Sequence, residues 1–562
     1  GTVAGGTPVR IYGPPQIIDR VSKVYFNSLE AVKISQGDGE LILSSPTHSE
    51  KYPVYITLCG SQLDEQPCII LPEPYEYSVF GFVAGKKNRL EIIDTTLDAL
   101  ADINPYSPGV KSAIGFGGYV MASTFSKNHL MPPGRYAYIA VNEQVGFRVV
   151  KLDTGTLQPI EDYFLYTGPE PASLRDIAIA EYFHYPEYPE GKYDLVVAVN
   201  QAGIEWYGGE VLILNPETMT ERQRFPIPGL SLGEVVNITA DKDKVYVSSL
   251  KGNPFMQEQI LVVLSYHAFI DEWMTDCIID GENGIMPPVT HLLSNLGLDS
   301  FYDPNLGKDR ICIVAPEYNF ASGEFGSIMC GFAKEEESGI PPTEHCISFD
   351  KIIPVDYLHD MPYPQDVSVG LIDNDCKAFV VNSYKHEWNR IEGICNTPDF
   401  ELPGKITQGL NPVVIEIRSS NDKAYIVNEN SIDEPEPSVS NADITVINAK
   451  INKFAKKITE ISPDFHPRSI AIQTVIESSY FFNSMKAEVE LLQDSDLINP
   501  SKKQVLQNRL NVIENLMDTP ANNQAIISNA EAFKNQVENF VINETAREEL
   551  VRLTEGFISS IE

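Results

Sequence analysis

Residues 411–458 read NPVVIEIRSSNDKAYIVNENSIDEPEPSVSNADITVINAKINKFAKKI. An apolar run at 413–417 is followed by a polar turn at Asn421, Asp422 and Lys423. Further runs lie at 424–427 and 444–447, and a short one ends at Ile458. β-branched runs punctuated by Asn and Asp predict a four-stranded antiparallel meander.

The same unit recurs along the chain. Its second strand appears as YSVFGFV (77–83), YAYIAVN (136–142), YDLVVAVN (193–200) and KVYVSS (244–249). It returns as DRICIV (309–314), KAFVVN (377–382) and KAYIVN (423–428). A third strand recurs as LEIIDT (90–95), VVKLDTG (149–155), VLILNP (211–216) and ITVINA (444–449). Asp or Asn closes each of these and is placed to cap the turn into a fourth strand. Four strands every 45 to 65 residues, roughly, is the spacing of propeller blades. A single blade cannot bury both faces, so the units must stack around an axis. The chain is therefore expected to be mainly β, a seven-bladed β-propeller followed by a small C-terminal helical bundle. The expected divisions are an extended lead-in over 1–38, the propeller over 39–478 and a helical module over 479–562. The segment around Phe465 to Ile472 reads as a further first strand that closes the ring with N-terminal strands.

A Tyr- or Phe-centred strand ending in Val-Asn, a loop, then an apolar strand ending in Asp or Asn resembles the YVTN or lactonase-like seven-bladed β-propellers over about 40–475. Such propellers serve as enzymes, surface-layer modules and binding platforms, so the resemblance implies a fold more than an activity.

After Glu477 the composition turns to Asn, Gln, Glu, Lys and Leu. Phe482, Met485, Val489 and Leu492 follow helical spacing, as do Leu506, Leu510, Ile513 and Met517. Ile526, Ala530, Phe533, Val537 and Val541 form a third stripe, and Leu550, Leu553, Phe557 and Ile561 a fourth. Thr545 and Glu548 fit a capping box for the last helix. The stripes predict a self-packed bundle. The text LQNRLNVIENLMDTPANNQAIISNAEAFKNQVENFV resembles the FIMAH-type module at the C-termini of bacterial extracellular proteins, although the usual Gly of its connecting turn is missing.

The net charge of the 562 residues is -36, which argues against nucleic acid and anionic membranes as partners. Eight cysteines (Cys59, Cys68, Cys277, Cys312, Cys330, Cys346, Cys376 and Cys395) are even in number and contain no CxxC. They predict disulfides in an oxidising compartment, with 59/68, 330/346 and 376/395 as the sequential pairs. No apolar run approaches the ~18 residues of a membrane helix. The opening Gly-Thr-Val-Ala-Gly-Gly reads as a processed terminus, and sequons stand at Asn237 and Asn543. A secreted, periplasmic or cell-surface location follows as the expectation.

Motifs for a nucleophile elbow, a zinc protease helix, a P-loop or a dinucleotide fold are missing from the text, so no catalytic or cofactor residue is nominated. The nine His are scattered. Weak metal candidates are Asp241, Asp243, Asp373 and Asp375 in acidic turns, with calcium as the possible ion. Tyr-Pro clusters at 72–77 and 183–189 are candidate contact surfaces. The glycines of 115–118 read as room for strands crowding near the axis. The leading expectation is a non-enzymatic binding or scaffold subunit of an extracellular assembly, with other extracellular proteins or copies of itself as partners. The alternative is a lactonase-like hydrolase with a metal or acid/base site at the axial mouth. A third reading, a partner subunit in electron transfer, rests on fold analogy alone.

Overall fold

A computed structural model of the chain describes residues 2–561 apart from a set of turns and loops. The longest of these excluded stretches are 104–111, 127–133, 183–191, 280–287, 290–296, 334–346, 355–363 and 432–441.

Among the described residues, seven sheets built on four antiparallel strands follow one another along the chain. The second runs Tyr119–Phe125, Tyr136–Asn142, Phe147–Asp153 and Gln158–Leu165. The seventh runs Gly409–Ile417, Lys423–Ser431, Asp443–Asn448 and Lys453–Ile458. The stretch that opened the sequence analysis is thus one complete meander. The first strands of successive sheets touch in series, from Tyr119–Phe125 through Ala172–Tyr182, Glu234–Asp241, Leu298–Asp303 and Pro364–Ile372 to Gly409–Ile417. Pro467–Ile472 then contacts both ends of that series and closes the circle. The chain is a β-propeller.

Closure works as the sequence implied. Pro467–Ile472 pairs with Phe80–Gly85, with Ile470 opposite Val83 and Ala471 opposite Phe82. The first sheet is thereby built from both ends of the propeller segment. All seven quoted second strands occupy the second position in their sheets. They are the most enclosed: every residue from Ala137 to Val141 is fully buried. Side chains on both faces of these strands meet a neighbouring sheet, so near-continuous apolar runs form here rather than alternation.

The turns between third and fourth strands share one construction. Asp94 Oδ1 accepts the N–H groups of Thr96 and Leu97, and Asp153 Oδ1 that of Thr156. Asn215 and Asn448 do the same for Glu217 and Thr218, and for Lys450 and Ile451. The fourth residue after each cap (Asp98, Leu157, Met219, Asn452) has a positive φ of about 50°. These turns also receive the neighbouring sheet. Tyr138 donates to Pro216 O at 3.4 Å, and Arg390 to Ala449 O and Lys450 O at 2.9 Å each.

The first 79 residues depart from the expected lead-in and first repeat. Pro8–Tyr12, Glu40–Ser44 and Val32–Gly37 make a three-stranded sheet. Leu29–Glu30, Val21–Phe26, Val54–Leu63 and Gln66–Tyr75 make a four-stranded one. The propeller's repeats begin at Phe80–Gly85, not at Gly39. Alternation in 54–75 fixes which faces are apolar but not which strand is the partner, and here the partner is Val21–Phe26.

Four helices follow the ring: Ser478–Leu491, Ser501–Met517, Asn523–Phe540 and Glu544–Ile561. Their predicted stripes are buried, apart from the half-buried Met517 and Ile561, but the helices do not form a bundle packed on itself alone. Phe482, Met485, Leu506, Phe533 and Phe557 share one core with Val3, Val24, Phe26, Val54, Tyr77 and Val79. Tyr75 and Tyr77 pack edge-on around Phe26, so this end of the 72–77 cluster faces inward instead of forming a contact surface. The last helix is capped by Asn543, whose Oδ1 accepts the Ala546 N–H at 3.3 Å, two residues before the predicted Thr545 cap. No helix among the described residues is long and apolar enough to cross a membrane.

Candidate channel-end site

An inner strand that circles an axis presents its side chains to a central channel. Near its start, most of these strands carry a bulge, which leaves one residue outside the ladder and re-aims it. The extra residue is Met121 between Val120 and Ala122, Arg175 between Leu174 and Asp176, and Arg468 between Pro467 and Ser469. Strand direction alternates, so the bulges lie at the ring end that also carries the links between second and third strands.

Residues 250–259 and 316–325 read in the text as long loops. Residues 250–253 instead pair with 256–259, with Leu250 opposite Gln259 and Asn253 opposite Met256. Asn319 faces Glu324 in the next sheet. The apolar alternation fades in these arms, so the sequence shows no strand, while the backbone ladder continues. The 183–189 cluster lies outside the described residues.

Beside the bulges stand three carboxyls. Asp176 Oδ1 accepts the Ile177 N–H at 2.8 Å, and its Oδ2 accepts that of Ile238, on the next sheet's inner strand, at 3.0 Å. Asp299 Oδ1 takes the Ser300 N–H, and its Oδ2 takes the Val369 N–H at 2.8 Å and the Ser368 hydroxyl at 3.1 Å. Asp366 Oδ2 takes the Ile415 N–H at 3.0 Å. Each carboxyl therefore ties its own inner strand to the next. Asp366 also lies under Gly297, where an added Cβ would stand 2.4 Å from the Asp366 Cα.

Burial pushes the Asp366 carboxyl up to about 8 and that of Asp176 up to about 7, against the opposing pull of the donated N–H groups. Asp299 and Asp176 add smaller like-charge pushes on Asp366, so the three sense one another. Carboxyls that hold protons near neutrality can transfer them or donate hydrogen bonds. Glu429 Oε1 and His466 Nδ1 form a pair at 2.9 Å just before the Arg468 bulge. Burial, and then the charge of Arg175, lowers the Arg468 guanidinium below its ordinary value, with Glu429 opposing.

The nominated metal candidates lie elsewhere. Asp241 pairs with Lys244 and Asp375 with Ile372, each between a first and a second strand, in two sheets that are not neighbours. Asp243 and Asp373 lie outside the described residues. Among the described residues no three His, Cys, Asp or Glu side chains group as metal ligands would. The glycine reading at 115–118 holds at Gly118, where a Cβ would meet Asn142 O at 2.4 Å.

Two disulfides join directly opposite residues of adjacent strands: Cys59–Cys68, as the sequence suggested, and Cys312–Cys330. The expected 330/346 pairing is corrected, because Cys330 faces Cys312 across the ladder. Cys277 and Cys376 are also disulfide-bonded.

The channel-end residues were missed because only second and third strands were aligned. The signal was present in the first strands: Leu174-Arg175-Asp176-Ile177-Ala178-Ile179 repeats as Pro467-Arg468-Ser469-Ile470-Ala471-Ile472.

No curated protein matches the chain. Among solved structures it is similar to a periplasmic gluconolactonase, PpgL, of Pseudomonas aeruginosa. Identity there is 12%, coverage 71% of this chain and 100% of that one, and the TM-score 0.43. It is similar to the dihydro-heme d1 dehydrogenase NirN at 13% identity, with 70% and 74% covered and a TM-score of 0.38. A 6-phosphogluconolactonase-like protein of Bacteroides uniformis follows at 10% identity, with 58% and 81% covered and a TM-score of 0.36. Residues 482–559, the helices that share a core with the N-terminal sheets, match the FIMAH domain.

Proposed function

We propose that this protein is a non-enzymatic binding or scaffold protein that works outside the cell or in the periplasm as a subunit of an assembly. The observation that carries this reading is the second folded body beside the ring. Both chain ends meet there in one core, and its helical half matches the FIMAH domain. A ring joined to a second folded body suits a protein that holds one partner while attached to another. Cross-strand disulfides in the ring and in the N-terminal sheet suit an oxidising compartment.

The test is the solution mass of the full chain from its native source, by light scattering, with a turnover screen on lactones and esters. A mass above the 62.5 kDa of one chain and no turnover is the expected result. A bare monomer that hydrolyses the panel overturns it. The hydrolase reading is favoured by one observation, the raised, buried carboxyls of Asp176 and Asp366 on the inner strands of the ring. Under that reading Asp366→Asn abolishes turnover.

A further inference from the structure

We propose that the outer strand of the seventh sheet, Lys453–Ile458, is a docking edge for an extended acidic segment of a partner protein. The strand ends its sheet: it pairs with Asp443–Asn448 on one side, and no strand among the described residues pairs with the other. Its sequence KFAKKI holds three lysines and no acid, in a chain with 42 Lys and Arg against 78 Asp and Glu. The outer strands of the second to fifth sheets are acidic or mixed. Where they carry Arg222 and Arg224, those cations are held by Asp194, Asp271, Glu210 and Glu221. On Lys453–Ile458, Asp443 takes Lys457 at 3.1 Å, while Lys456 donates to the Leu97 carbonyl at 3.0 Å. Among the described residues no carboxylate pairs with Lys453 or Lys456, and both are exposed.

The register sorts the side chains of this edge. Lys453 stands opposite Asn448 and Lys456 opposite Val446, so both share the side that meets the first sheet, where Val446 packs with Val83 and Ile93. Phe454 stands opposite Ile447, on the side of the sixth sheet, and is 42% exposed. An extended segment laid along the edge sends alternate side chains to these two sides. Carboxylates on one side and apolar groups on the other answer both rows, which a polyanionic glycan would not. The neighbouring turns agree. The third residue after the capping Asp or Asn is Thr156 in the second sheet and Thr218 in the third. In the first and seventh sheets it is Leu97 and Ile451, both 59% exposed. Both of these turns are held: Arg390 donates to Ala449 O and Lys450 O, and Tyr425 and Lys423 to Thr95 O. A rigid apolar rim beside a lysine row loses little freedom on binding. The bulge at Ala455 and the lysines disfavour pairing with a like edge, so the strand admits an acidic segment and rejects a second copy of itself. The inference rests on the scaffold reading and names the chemistry of the partner.

The experiment is fluorescence polarisation of a labelled octapeptide of alternating Glu and Val, titrated with the full chain. An octapeptide of alternating Lys and Val and a heparin fragment serve as comparisons. Saturable binding of the Glu peptide is expected, weakening as salt rises, with no binding of the Lys peptide. Lys453→Glu combined with Lys456→Glu should weaken binding ~10-fold or more, and Phe454→Ser by a smaller factor. Arg10→Glu combined with Lys23→Glu, an equal change of charge on the N-terminal sheets, should leave binding intact. An unchanged melting temperature shows that each variant folds. No binding of the Glu peptide, equal loss in the two double variants, or preference for heparin overturns the proposal. The assembly reading is tested separately by solution mass and turnover, so it survives failure of this edge.

Discussion

Asp366 accepts the backbone N–H of Ile415 at 3.0 Å, so one carboxyl on the sixth inner strand holds the seventh. Asp176 and Ile238 repeat the relationship between the third and fourth sheets. These ties join the inner strands of neighbouring sheets rather than strands within one sheet.

Burial makes this tie sensitive to pH. The Asp366 carboxyl titrates near 8 when folded and near 3.8 when unfolded, and Asp176 near 7 against 3.8. The folded state therefore binds more protons between those values. The stabilising contribution is complete below about pH 4 and is lost as pH rises toward about 8. The melting temperature of Asp366→Asn should fall less steeply than that of wild type over this window. Parallel profiles would show that the carboxyl does not titrate there.

The seam where the seventh sheet meets the first depends on Tyr425. Its hydroxyl donates to Thr95 O at 3.0 Å and to Asp98 Oδ1 at 2.7 Å, beside the Lys423–Asp98 ion pair at 2.8 Å. Tyr425→Phe leaves those buried acceptors short of a donor and should cost about 1–3 kcal/mol. Hydrogen exchange should quicken first in Phe80–Gly85 and Pro467–Ile472. Uniform quickening over all seven sheets would refute a local role for the seam.

Phe557 is fully buried in the core common to both chain ends. Phe557→Ala should destabilise that body by ~3–5 kcal/mol. Limited proteolysis should then cut within Val54–Leu63 and Gln66–Tyr75 as well as within the last helix. Cleavage confined to the helices would mean that the N-terminal sheets stand alone. Deleting the tail would bare the apolar face of those sheets, so point variants test the module more cleanly than truncation.

Cys312 and Cys330 close a span of 18 residues. Replacing both with Ala should lower stability by about 3 kcal/mol in denaturant titration. Non-reducing peptide mapping should link Cys312 to Cys330 and Cys59 to Cys68. A Cys330–Cys346 peptide would contradict the ladder register.

The sequence by itself determined the repeating unit, the identity of its second and third strands, the capped turns and the four helical stripes. These are local matters: alternation, β-branching and an Asp or Asn at a turn act within a few residues, and each appears in the structure where the text places it. Tertiary structure alone decided which units meet. Strand pairing depends on complementary faces, which many strands share, so the text could not show that Val21–Phe26 takes Val54–Leu63 and leaves the ring. An apolar helix stripe likewise does not name its partner, and here it found the N-terminal sheets. Arg175 and Arg468 lie 293 positions apart in the text. Only closure of the ring, which brings the strand after the last sheet beside the second sheet, places the two similar hexapeptides on one circle of inner strands.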